Sequence, residues 1–432
     1  MKKASFTLLA ASIVLVCFTV IPVFPQAPPS PEQLYDEVFT YVKTQIRESN
    51  AKGKKVSRED VDDFGREKVS LAKKYAATAA ATASPTARDL LYTAFLYEEA
   101  GNEKQALEFF RRTLSASAPD ASGNGIQMAR SRVVVYAGRE KLFDEMEKAY
   151  AAWSVSSPTD PAIRASLERS MAATYFNIKN YEQAIKYGHS AFELVKKLEA
   201  KTWRERSQKT EIYADLVETM LVSLKGAGRK DEAIDVLAEA RATAFTIPSA
   251  TLYTKVMEMV SKYGVSEKKL MQKVESYPNA DSAPDFTVQE WMGQEPATLE
   301  SLRGKVVLLD FWATWCGPCI STFPRLRGWH KKFGPQGFTI LGITKFYGQI
   351  RGQRIDRPAE REYFKNFKEE YKLPYGFAIT EGDDTSAKYG ISSIPATFLL
   401  DKKGVVRYIG VGASPEEAEN LEEMIKKVLA EQ

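Results

Sequence analysis

Cys316 and Cys319 are separated by only Gly317 and Pro318, with Trp315 immediately in front. Two thiols at that spacing can close a small disulfide ring and open it again. In doing so they pass two electrons to or from another disulfide. That chemistry runs through a thiolate, and a thiolate needs a stabilising field. A helix N-terminus supplies one through its unpaired backbone N–H groups and its dipole. Pro318 suits the first turn of such a helix, where its missing N–H is not needed. This reading puts Cys316 exposed at the helix start as the nucleophile. Cys319 falls one turn further in and more buried.

Other uses of the pair fit less well. A zinc site needs a second ligand pair. The two histidines, His189 and His330, sit in no ligand-spaced group with the cysteines. The sequence therefore implies neither a metal nor a cofactor. As a structural staple, so short a loop constrains the unfolded chain little. The third cysteine, Cys17, lies in an uncharged run from Phe6 to Phe24 that follows Lys2 and Lys3. That is the layout of a secretory signal. The run is also near the length that spans a bilayer, so an uncleaved anchor is a second reading. A lipoprotein is a third, although Val16 stands where a small residue is expected. Export to a periplasm or cell envelope would leave one close cysteine pair in an oxidising compartment. Such a pair is better read as a working dithiol than as a staple.

The elements that position the pair come next. Val306 to Leu309 is an unbroken apolar run, a buried strand leading into Asp310-Phe311-Trp312. Further strands are expected at 338–343, 377–380, 397–400 and 405–409, the last two joined by a tight turn at Asp401 to Gly404. A closing amphipathic helix is expected at 416–429. Short apolar runs alternating with charged helical stretches predict an α/β domain over 281–432. The dithiol then follows the end of a buried strand, where α/β sheets place their sites.

Residues 31–277 have a different texture, with alanine, leucine, glutamate and lysine at helical spacing. Residues 1–27 form the signal or anchor, and Tyr277 to Pro284 marks the boundary between the two larger parts. Within the helical part, segments beginning at Ala94, Ala172 and Leu221 each run through a turn into a second helix carrying alanine. A poorer copy runs from Val133 through Gly138 to Ala149. The pattern resembles the tetratricopeptide repeat, but the turns, near 101, 138, 179 and 228, lie wider apart than the roughly 34 residues of regular arrays. The expectation is an irregular all-α solenoid with a concave surface for a protein or peptide partner. A net charge of +4 on 432 residues, with no basic cluster interleaved with aromatics, gives no support to a nucleic-acid partner.

Phe311-Trp312-Ala313-Thr314-Trp315-Cys316-Gly317-Pro318-Cys319 resembles the active-site segment of thioredoxins. Ala283-Pro284-Asp285-Phe286 and Ser393-Ile394-Pro395-Ala396-Thr397-Phe398 resemble the exported TlpA/ResA-type thiol–disulfide oxidoreductases. The resemblance covers about 280–432 and implies a thioredoxin fold with redox activity toward protein or peptide disulfides, recharged by an upstream electron donor. It makes Asp310 the buried acid that exchanges a proton with Cys319. It makes Pro395 the cis-proline beside the dithiol, and the Ile394 backbone a ledge for an extended substrate segment. Trp315 would shield the pair and offer apolar contact.

Departures from the pattern narrow the expectation. Many relatives carry an acid shortly after the second cysteine, whereas Ile320-Ser321-Thr322 has none. The segment from Lys345 to Tyr375, with Arg351, Arg354 and Arg357, falls where such proteins insert an extra helix. Gly-Pro between the cysteines favours a disulfide reductase over an oxidase or isomerase. A peroxidase of the same fold would want threonine where Ala313 stands. A copper carrier would want wider cysteine spacing and a suitable histidine. An envelope adaptor whose thioredoxin-like domain only binds is the remaining rival, and the intact dithiol argues against it.

Overall fold

A computed structural model describes residues 28–116, 123–156, 160–200, 202–266, 269–270, 282–350 and 352–431. The apolar run at 6–24, with Cys17, lies outside the described residues, as do Arg351 and the expected boundary from Tyr277 to Asp281. The chain divides into two compact units, one ending at Ala129 and one beginning at Arg130.

The first unit holds α1 (Pro31–Ala51), α2 (Arg58–Ala80), α3 (Ala87–Glu99) and α4 (Glu103–Ser115). Ser30, Ser57 and Thr86 start the first three with reciprocal capping boxes, which satisfy backbone donors that the helix itself leaves orphaned. Leu34, Val38, Ala72, Ala76 and Leu96 form its core. Gly101, at φ +72°, turns α3 into α4.

Helix α5 (Gly123–Arg139) leads on to α6 (Phe143–Ser154), α7 (Pro161–Asn177), α8 (Tyr181–Lys197), α9 (Trp203–Gly226), α10 (Lys230–Thr246) and α11 (Ala250–Lys262). The turns expected near 179 and 228 separate α7 from α8 and α9 from α10. The one expected near 138 falls at 140–142, between α5 and α6, with Gly138 itself in the last turn of α5. A Cβ on Gly138 would come 2.9 Å from Met146 Sδ, so the glycine permits close helix packing.

The C-terminal part is a mixed six-stranded sheet in the order β1-β6-β3-β2-β7-β8. Its strands are β1 (Val288–Met292), β2 (Val306–Phe311), β3 (Phe338–Lys345), β6 (Gly376–Thr380), β7 (Ala396–Leu400) and β8 (Val406–Val411). A separate small hairpin pairs β4 (Gln349–Ile350) with β5 (Gln353–Arg354). Strands β2, β3 and β6 run parallel, while β1, β7 and β8 pair antiparallel. The helices are α12 (Gly317–Phe333), α13 (Arg357–Glu370), α14 (Asp384–Lys388) and α15 (Pro415–Ala430). This is a thioredoxin-like α/β domain, with α13 in the segment where an inserted helix was expected. The expectation missed β1, a half-buried edge strand without clean alternation, and the two-residue strands β4 and β5.

Side chains alternate across β2 and give the sheet two different faces. Val306 and Leu308 pack toward α12, α13 and α15. Val307, Leu309 and Phe311 face the other way, onto a core that includes Ala250 and is flanked by Phe245 and Tyr253 of α10 and α11. Helices before the sheet in sequence therefore complete its second face.

Candidate functional site

The turn after β2 is set by packing. Trp312 is buried and meets Phe323, Phe364, Phe367 and Phe377, with ring centroids 4.8 to 6.1 Å away. Gly342 on β3 leaves room for it, since a Cβ there would come 2.9 Å from Trp312 Nε1. The chain then reaches Cys316, the N-cap of α12, whose extended backbone (φ −85°, ψ 96°) opens the helix with Pro318 in its first turn.

Cys316 and Cys319 form a disulfide with their Cα atoms 5.3 Å apart. The Cys319 N–H donates to Cys316 Sγ at 3.2 Å. A backbone N–H donor placed against a cysteine sulfur favours its thiolate over its thiol. The expectation of an exposed Cys316 is corrected, for it is only 4% exposed and Cys319 only 1%. The cover comes from the loop before β7. The Ile394 carbonyl oxygen lies 3.8 Å from Cys316 Sγ, and the Ile394–Pro395 peptide is cis. A disulfide sulfur has no hydrogen to give, so this is a contact; a Cys316 thiol could donate there. Trp315 is 57% exposed beside the pair and meets the Tyr347 ring edge-on at 5.5 Å. The Glu360 carboxylate holds the Tyr347 loop by accepting from the N–H groups of Tyr347 and Gly348, at 2.7 and 2.9 Å.

Asp310 sits in the middle of the sheet, in register with Gly342 on β3 and Thr397 on β7. Burial pushes its carboxyl up to about 7, and Oδ2 has no hydrogen-bond partner among the described residues. It borders a cavity of about 30 Å³ together with Thr322, Pro395, Thr397 and Glu417. Thr322 in turn donates its hydroxyl to the Cys319 carbonyl at 2.7 Å. A single small cavity thus touches the acid, the cis-proline and the turn after the second cysteine. The buried Tyr375 hydroxyl is raised well above its ordinary value, first by burial and then by the Asp310 charge.

Of the arginines in the segment between Lys345 and Tyr375, Arg354 lies on β5, and Arg357 stacks over Phe346 at 5.5 Å. Among the described residues no group of three or more His, Cys, Asp or Glu side chains is placed to hold a metal ion.

Sequence reasoning missed a tie into the cis-proline loop. The Ala250 N–H donates to the Tyr389 carbonyl at 3.1 Å, and the Thr251 N–H to the Gly390 carbonyl at 2.9 Å. Thr251 Oγ1 approaches the same Gly390 carbonyl at 2.7 Å and Ser392 Oγ at 2.8 Å. Gly390 itself was a readable signal, for it holds φ +54° with Ser249 packed against it. The partner helix had no such mark.

The AhpC/TSA family model matches residues 280–409. The thiol-disulfide oxidoreductase ResA of Bacillus thuringiensis subsp. konkukian (strain 97-27) is 31% identical over 156 residues, covering 36% of this chain and 82% of that protein. The thioredoxin-like protein YneN of Bacillus subtilis (strain 168) is 30% identical over 130 residues, covering 30% of this chain and 69% of that one. Among solved structures, a putative thiol:disulfide interchange protein DsbE from Chlorobium tepidum is 29% identical, with a TM-score of 0.31, covering 36% of this chain and 100% of that one. Through its C-terminal domain, the chain belongs to the thioredoxin-like thiol–disulfide oxidoreductases of the TlpA/ResA type.

Proposed function

We propose that this oxidoreductase is exported and reduces disulfides in extracytoplasmic proteins. Cys316 is the nucleophile: its thiolate attacks a substrate disulfide and forms a mixed disulfide while one substrate thiolate leaves. Cys319 resolves the intermediate. Its thiol gives a proton to Asp310, its sulfur displaces the second substrate thiolate, and the Cys316–Cys319 disulfide forms. Two electrons have then passed to the substrate, and an upstream donor must restore the dithiol. Trp315, Ile394 and Pro395 form the ledge on which an extended substrate segment lies. The helical region, with its boundary near 277–281, selects the protein partner.

One observation carries this reading: the buried Asp310 carboxyl, pushed up to about 7 by burial, borders a cavity that also touches Thr322 and Pro395. A general base works best with its pKa near the working pH. The direction of electron flow rests on Gly317-Pro318 and the buried acid, and export rests on residues 1–27. Among the described residues no helix is long and apolar enough to cross a membrane.

The test is reduction of insulin by the reduced protein. Turnover that disappears in Cys316→Ser, with mixed disulfides accumulating in Cys319→Ser, is the expected pair of results. Undiminished turnover in Cys316→Ser would remove the assignment. A measured reduction potential near that of oxidising members of the fold would reverse the direction.

A further inference from the structure

Ser414-Pro415-Glu416-Glu417 reads as a capping box at the start of α15, yet only half of it is made. Glu417 N–H donates to Ser414 Oγ at 3.1 Å. The Glu417 carboxyl turns inward instead, accepting from the Tyr408 hydroxyl at 2.7 Å. It ends above a row of three residues in register across the sheet, Asp310 on β2, Thr397 on β7 and Gly410 on β8. Residues so paired place their side chains on one face, with neighbouring Cβ atoms about 5 Å apart. Gly410 is what lets the carboxyl settle there. A Cβ on it would fall 2.5 Å from Glu417 Oε1 and 2.6 Å from Thr397 Oγ1.

The cavity of about 30 Å³ beside Asp310 has Thr397 and Glu417 in its wall. That volume holds about one or two waters, and the wall offers the polar partners that a buried water needs. Glu417 also borders a second, larger cavity of about 780 Å³ on its other side, walled by Arg241, Tyr253, Met257 and Glu258 of the helical region. It therefore borders both the small cavity beside Asp310 and the larger groove.

We propose that Glu417 is the gate through which Asp310 exchanges its proton with solvent, by way of Thr397 and water in the small cavity. The inference rests on the assignment of Asp310 as the base for Cys319. Asp310 can take the Cys319 proton only once it has lost its own, so a protonated acid must be emptied to solvent before Cys319 can attack and release product. The acid has no other titratable side chain in its cavity wall except Arg325, a fixed cation whose Nη1 donates to the Ser414 carbonyl at 3.3 Å. The proton passes to the Glu417 carboxylate and then to the groove. No electrons move in this step. Burial holds the Glu417 carboxyl above its ordinary range, and the Tyr408 hydrogen bond opposes that. The charged and titratable groups around it are Asp310 on β2, Tyr408 on β8, Arg241 on α10, Tyr253 and Glu258 on α11, Arg325 on α12, and Glu416, Glu423 and Lys427 on α15. Glu417 acts through Asp310 and touches neither sulfur, so its role is to position and relay. The outlet is walled by the helical region, which thereby enters the redox cycle itself.

The experiment uses the full chain, reduced, in single-turnover reaction with a fluorogenic peptide disulfide, resolving mixed-disulfide formation from product release between pH 5 and 9. Glu417→Gln keeps an acceptor for the Tyr408 hydroxyl but cannot carry the proton. It should slow release about tenfold and remove an inflection from its pH profile, leaving mixed-disulfide formation unchanged. Glu417→Ala should slow release likewise, and added formate should restore it. Release at the unaltered rate in Glu417→Gln, or slowed release in Glu417→Ala that formate leaves untouched, overturns the gate. Asp310→Asn separates the two levels. If it slows release while Glu417→Gln does not, only the gate fails; if it has no effect, the assignment of Asp310 fails first.

Discussion

Thr251 and Gly390 stand 139 residues apart in sequence, yet the Gly390 carbonyl accepts from both the backbone N–H and the hydroxyl of Thr251. One belongs to the first turn of α11 and the other to the loop that leads to Pro395. A helix start has orphan donors, and here a loop carbonyl rather than a cap side chain meets one of them. The loop against Cys316 is therefore held from the helical side. Thr251→Val should cost about 1 kcal/mol of stability. It should also speed amide exchange over 390–394, read by hydrogen–deuterium exchange. Gly390→Ala should cost more, because it combines a left-handed backbone with a Cβ 2.4 Å from Ser249 Oγ.

The Asp310 carboxyl gives a pH signature to stability. Its folded value, about 7, is raised above the ordinary 3.8 by burial. Below the ordinary value both folded and unfolded chains hold the proton, and the group costs nothing. Between about pH 4 and pH 7 the unfolded chain releases it first, so folding stability falls as pH rises. The loss is on the order of 4 kcal/mol when complete. Urea denaturation of the oxidised protein should show this decline, and Asp310→Asn should flatten it. An equally steep decline in Asp310→Asn would assign the effect to another group.

In the dithiol form, Cys316 at the N-cap of α12 should ionise more readily than a free cysteine. Alkylation by iodoacetamide, followed against pH, should show one fast thiol with an apparent pKa below about 8.5. Cys319, lying deeper, should react slowly throughout. Two equally fast thiols would contradict the assigned order.

Trp315 should matter for substrate and little for folding. It is largely exposed, and among the described residues its ring meets only Tyr347. Trp315→Ala should change stability by less than about 1 kcal/mol while raising KM for a peptide disulfide several-fold. A fall in kcat at constant KM would point to a role in the chemistry instead.

Gly342→Ala offers a test of the packing that aims the dithiol. The added Cβ would meet Trp312 Nε1 at 2.9 Å and Phe377 Cδ1 at 3.0 Å. Overpacking at such a site should cost about 1 to 3 kcal/mol in urea denaturation.

Much of the redox half was legible because its signals are local. The run Val306 to Leu309 is buried on both faces, as a central parallel strand must be, so it needs no alternation to be recognised. The Cys316-Gly317-Pro318-Cys319 turn carries its own capping and first-turn chemistry. What escaped notice depends on residues distant in sequence. Glu417 reads as an exposed capping residue until Gly410, seven positions earlier, is seen to clear space for it. The exposure expected for Cys316 failed because its cover, Ile394, arrives from a loop 78 residues further on. Gly138 marks its turn only to within a few residues, because glycine both bends a chain and lets two helices touch, and local sequence does not separate those uses.

The apolar core that Ala250, Phe245 and Tyr253 share with Val307, Leu309 and Phe311 also bears on how the chain is made. Ribosomes deliver α10 and α11 before any strand of the sheet. Their sheet-facing residues must wait, uncovered, until β2 has been synthesised, and then longer for β7 and β8. A nascent chain halted between 262 and 306 would carry an unfinished hydrophobic surface. Such chains invite chaperones or mispairing with a neighbour.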